Sequence, residues 1–228
     1  MTGAHTTPSE VYAAVRDELI DALAAINDSS ASQIVPACPE WTVKDVVAHL
    51  CGLNAELLAG VPGRLGSDEA TARQVGDRES ADLKQVIDEW THMADAIGER
   101  LSEDETMAIA LLADLVIHVY DLAEVLDQPT VKAATATPTS AHRYVPGLQK
   151  RVADRTGVAL TVDLSDGTSW PAPDGDAPTA VTVRTSPHEF LRGVTGRLRR
   201  EEVQAFDWST DPTDILDRAW NQYGPFRT

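Results

Sequence analysis

The chain is short of cysteine, of basic residues and of long apolar runs, and each shortage narrows what it can do. Its 228 residues include two cysteines, Cys38 and Cys51, too few for a disulfide framework and in keeping with a reducing cytoplasm where both stay thiols. Lys and Arg number 19 against 36 Asp and Glu, a formal net charge of -17, which disfavours nonspecific binding to nucleic acid or anionic lipid. No apolar run approaches the roughly 18 residues of a membrane helix. The opening MTGAHTTPSEVYAAVRDELI lacks the basic-then-apolar order of a secretory signal. We therefore expect a soluble, cytoplasmic protein that meets a small-molecule substrate, with no nucleic acid and no membrane as partner, acting as a monomer or homodimer.

What the chain does have is helical periodicity. Behind Ser9, read as a helix cap, Val11, Tyr12, Val15, Leu19, Ile20, Leu23 and Ile26 recur at helical spacing and stop before Asn27-Asp28-Ser29. Thr42 and Asp45 make a capping-box pattern opening a second helix, whose apolar stripe of Val46, Val47, Leu50, Leu53, Leu57 and Leu58 runs to about Gly60. A polar, glycine-bearing connection follows, with a short helix around Ala70 to Gly76. A third helix is expected over about 81–101 and a fourth over about 105–127, stopped by Gln128-Pro129. Four long amphipathic helices suggest a bundle over 8–128. VKAATATPTS reads as a linker, placed at 129–140. Residues 141–228 offer a helix near 142–156, the strand-like runs VALTVDL and TAVTVRT joined by a turn-rich segment suited to a hairpin or broad β connection, a helix opened by Ser186-Pro187, and a last helix near 212–223. The fold class is α+β, a helical bundle followed by a small α+β domain.

Two histidines carry the candidate chemistry. His49 lies in TVKDVVAHLCG on the second helix and His118 in DLVIHVYDLAE on the fourth, four residues after Asp114. That spacing puts a carboxylate and an imidazole on one helix face, and an imidazole from a facing helix completes the open three-ligand set of a catalytic divalent metal, with zinc the first choice before nickel or iron. The competing reading makes each histidine a hydrogen-bonded core or surface residue and Asp114 a solvated one. The window ALLADLVIHVYDLAEVL is apolar on almost every face, so Asp114 and His118 are expected to be partly buried, where a carboxylate needs a partner. Asp45 also precedes a histidine by four residues, but capping accounts for it. Asp121 and Glu124 are candidates to orient an imidazole through its other nitrogen. Cys51 points away from His49 and reads as packing, and Cys38 as a loop cysteine with no evident base. His92, His142 and His188 have no evident partner, and the tryptophans read as packing. FLRGVTGRLRR gathers Arg192, Arg197, Arg199 and Arg200, a cationic patch for an anionic small molecule or, equally, a solvated helix end.

The stretch CPEWTVKDVVAHL, the later carboxylate-x-x-x-His followed by Val-Tyr-Asp, and SPHEFLRGVTGRLRR with AFDW resemble the mycothiol-dependent maleylpyruvate isomerase family over nearly the whole chain. The resemblance implies a DinB-like bundle, the family's smaller C-terminal domain, and a metal triad falling on His49, Asp114 and His118. It also implies mycothiol, the low-molecular-weight thiol of actinobacteria, as cosubstrate, and Arg197 as the catalytic arginine that meets an anionic substrate. Aspartate stands at 114 where the family has glutamate. Being one methylene shorter, it requires the fourth helix to come closer to the metal or to reach it through water. The function so implied is isomerisation or S-transfer on a small electrophilic, anionic compound. Two other classes remain open: a thiol-independent enzyme of secondary metabolism using the same cleft, and a non-catalytic metal-binding regulatory protein.

Overall fold

Thr7, not Ser9, caps the first helix, α1 (Pro8–Leu23): its hydroxyl accepts from the Glu10 backbone N–H, and the Glu10 carboxylate accepts from the Thr7 N–H at 2.7 Å. Ser9 lies inside the helix and donates to the Gly98 carbonyl at 3.2 Å. The structure is a computed structural model that describes residues 6–62, 66–126, 130–173 and 179–228. Asn27, where the sequence suggests a helix end, caps the short α2 (Asp28–Ala31). The antiparallel pair β1 (Ile34–Val35) and β2 (Cys38–Thr42) follows.

Thr42 and Asp45 form the expected capping box of α3 (Val43–Ala59), and Gly60 ends it in a left-handed conformation at φ 63°. Beyond α4 (Asp68–Gly76) the expected third helix is two, α5 (Leu83–His92) and α6 (Ala94–Ser102), parted at Met93. Just ahead of the break Thr91 Oγ1 donates back to the Ile87 carbonyl at 2.8 Å, a bond that bends helices. α7 (Glu105–Leu126) has Leu111, Leu112, Ala113, Leu115, Val116, Ile117 and Leu122 buried, and it packs against α1, α3, α6 and β1. α3 packs against α4, α5 and α6 as well. The bundle is thus α1, α3, the α5–α6 pair and α7, as the periodicity predicts. The expected stop at Gln128-Pro129 lies outside the described residues.

The expected linker is helical, α8 (Val131–His142), despite its threonines and an internal Pro138. Ala133, Ala136, Thr137, Ser140 and Ala141 are buried, so burial overrides weak helix propensity. The chain divides within α8 into two compact units, Met1–Ala136 and Thr137–Thr228.

In the second unit α9 (Val145–Thr156) ends at Gly157 and leads into β3 (Val158–Leu164), β4 (Ser169–Trp170), β5 (Thr179–Thr185), α10 (Pro187–Val194), α11 (Arg200–Gln204), β6 (Asp207–Trp208) and α12 (Thr213–Arg218). The sheet order is β4-β3-β5-β6. Of the two connections expected between the runs, a hairpin or a broad β connection, the hairpin is not seen: they pair in parallel, from Val158 opposite Thr179 to Leu164 opposite Thr185, and the tight hairpin joins β3 to the short β4. Gly167, at φ 90°, makes that earlier turn. Leu160, Val162, Leu164, Val181 and Val183 are buried in alternation, beside a core that includes Leu148, Val152, Phe190 and Trp220. The protein is α+β, and no helix of the described residues is long and apolar enough to cross a membrane.

Candidate metal centre

The capping box fixes where α3 begins, and its sixth residue beyond Val43 is His49, buried among Val46, Val47 and Leu50. On α7, Asp114 and His118 share a face one turn apart. The bundle brings the three together: one ligand atom from each of His49, Asp114 and His118 lies within 4.8 Å of the other two. His49 Nε2 is 3.2 Å from Asp114 Oδ2, and the two imidazole rings meet edge to face at 5.2 Å. The side chains of His49 and His118 are 4% and 6% exposed against 27% for Asp114, so solvent reaches the group on the carboxylate side.

Each imidazole is also approached from behind. Asp121, wholly buried, puts Oδ2 3.1 Å from His118 Nδ1, although that nitrogen makes no well-aligned hydrogen bond. Glu124, the other candidate for this role, is exposed. His49 Nδ1 is 2.7 Å from Gln74 Oε1, and Gln74 Nε2 donates to Glu56 Oε2 at 2.6 Å. Arg73 Nε donates to Glu56 Oε1 at 2.7 Å. Nothing in the sequence pattern marks Gln74 or Glu56, because the link forms by packing of α4, which carries Gln74, against α3, which carries Glu56.

Other neighbours were also hidden. Trp41, read as packing, tilts over His49 at 5.3 Å and His118 at 6.1 Å. Cys38 lies in β2, and its thiol donates to Asp121 Oδ2 at 3.7 Å, so Cys38, His118 and Asp121 form a second close group that shares a histidine with the first. That group has a fully buried carboxylate, whereas Asp114 leaves the first one open. Cys51 is buried, and burial pushes its thiol up to about 12, in keeping with packing. Burial likewise pushes the Tyr12 phenol up to about 12 despite its hydrogen bond to Asn54, with the Asp114 charge adding to the rise. Asp45 caps α3 as expected, its carboxylate accepting from Thr42 N at 2.9 Å.

Arg197 belongs to the second unit, in the turn after α10. Its Nη1 donates to the Thr195 carbonyl at 2.8 Å and its backbone N–H to the Arg192 carbonyl at 2.8 Å. Gly196 makes the turn at φ 79°, where a Cβ would sit 2.9 Å from the Tyr223 carbonyl oxygen. His142, expected to have no partner, lies 3.2 Å from Asp166. Burial pushes the His188 imidazole below its ordinary range, with the Arg192 charge acting in the same direction.

The first unit is therefore a helical bundle with a two-histidine, one-carboxylate group open to solvent on one side. Residues 12–123 of this unit match the mycothiol maleylpyruvate isomerase N-terminal domain. No curated protein sequence matches the chain. Two crystal structures share its fold: a mycothiol-dependent maleylpyruvate isomerase, with a TM-score of 0.57, and a histidine-to-alanine mutant, with a TM-score of 0.56. Each is 15% identical and covers 90% of this chain and 92% of its own.

Proposed function

We propose that the chain is a metal-dependent enzyme that uses a low-molecular-weight thiol, mycothiol, as cosubstrate for isomerisation or S-transfer on a small electrophilic, anionic compound. The observation that carries the proposal is the convergence of His49, Asp114 and His118 within 4.8 Å. Bonds of about 2.1 Å from a tetrahedral zinc hold neighbouring ligand atoms about 3.4 Å apart, close to the 3.2 Å between His49 Nε2 and Asp114 Oδ2. The donor set of two imidazoles and one carboxylate suits zinc first, then nickel or iron.

These three residues would hold the ion. Once bound, it would supply an open coordination position and lower the pKa of a thiol placed there, so that the thiolate is present at neutral pH. Asp121, with Oδ2 3.1 Å from His118 Nδ1, would orient that ring when the ion is bound, and the Trp41 ring lies tilted beside both imidazoles. Arg197 supplies the cation for the substrate's anionic group, which makes it the candidate catalytic residue of the second unit. Burial pushes the Cys51 thiol up to about 12, which makes it a poor nucleophile, and in this reading the cosubstrate supplies the reacting sulfur.

Calorimetry tests the thiol step. Mycothiol is expected to bind the zinc-loaded protein and to lose that binding in His118→Ala, while Arg197→Ala keeps the metal and the thiol but raises KM for an anionic substrate. Zinc retention without thiol binding would favour a thiol-independent enzyme of secondary metabolism. Zinc retention with no turnover of any electrophile would favour a regulatory metal-binding protein.

A further inference from the structure

We propose that Gln74, held by Glu56, is a positioning residue that decides which nitrogen of His49 faces the metal; the inference rests on the metal reading above. Glu56 accepts twice, from Arg73 Nε at 2.7 Å and from Gln74 Nε2 at 2.6 Å. A carboxylate has no proton to give, so Gln74 must turn its NH2 group to Glu56, and its carbonyl Oε1 is then the atom 2.7 Å from His49 Nδ1. An amide carbonyl only accepts, so Nδ1 carries the ring proton. The lone pair of the neutral ring therefore lies at Nε2, 3.2 Å from Asp114 Oδ2. Two acceptors face one another there, an arrangement that a cation relieves.

Burial makes the relay exclusive. Glu56 is 8% exposed, Gln74 1% and His49 3%, so water is a poor substitute for any link. Without the Gln74 carbonyl, the ring proton would move to Nε2 and donate to Asp114, closing the metal position with a hydrogen bond. Gly52 belongs to the same device, because a Cβ there would sit 2.6 Å from Gln74 Cβ and push the amide away from the ring.

The test has one arm without metal and one with it. Long-range 1H–15N NMR of the metal-free protein, recorded well above the ordinary histidine titration range, is expected to place the His49 proton on Nδ1 in the wild type and on Nε2 in Gln74→Met. Zinc titration of Gln74→Met is expected to show about 10–100-fold weaker binding. The double variant Glu56→Gln/Gln74→Glu reverses donor and acceptor in the inner bond but keeps an acceptor facing Nδ1, and it is expected to bind zinc like the wild type. A wild-type His49 protonated on Nε2, or an unchanged tautomer in Gln74→Met, would overturn the role of Gln74. If no form bound zinc, the metal reading would fall, and the metal-free tautomers would still decide the role of Gln74.

Discussion

Asp114 is the residue on which the site turns. Its carboxylate, on α7, stands 3.2 Å from His49 Nε2 on α3. The triad was legible in the sequence because all three members sit on helices with strong periodicity, and spacing on a helix fixes a face. Gln74, Trp41 and Cys38 were not legible, because each comes from an element other than the helices that carry the histidines, and Glu56 enters only through Gln74; local spacing says nothing about such meetings. Cys51 gives a check at this scale. It is buried, with its thiol pushed up to about 12, and only the thiolate reacts with disulfide reagents. A thiol assay of the native protein should therefore leave Cys51 unmodified and modify it after denaturation; modification of Cys51 in the native state would contradict its place in the core.

At the scale of elements, the contact between α3 and α4 deserves the closest test. A Cβ on Gly52 would lie 2.6 Å from Gln74 Cβ and 2.8 Å from Arg78 Nη1, and Arg78 is itself buried and paired with Glu89. Gly52→Ala should cost about 1–3 kcal/mol through overpacking, read as a lower denaturation midpoint, and should weaken metal binding by displacing Gln74. An unchanged midpoint would show that α4 moves away without cost. Three of the caps and stops read from sequence stand, since the Thr42 box opens α3, Gly60 closes it and Ser186 opens α10, whereas Thr7 rather than Ser9 caps α1. The α8 segment is helical because burial outweighs its composition, and β5 joins β3 in parallel because turn residues between two runs do not say which strand the turn pairs.

At the scale of the whole molecule, the net charge of -17 disfavours nonspecific binding to nucleic acid or anionic lipid. The division falls inside α8 rather than in a flexible linker, which composition alone could not reveal. The central claim is that His49, Asp114 and His118 hold one divalent ion, and metal analysis of the purified protein tests it most directly. The wild type should carry about one divalent ion per chain, while His118→Ala, still folded by circular dichroism, should carry almost none. A wild type without a stoichiometric ion after incubation with zinc, or a folded His118→Ala that keeps its ion, would contradict it.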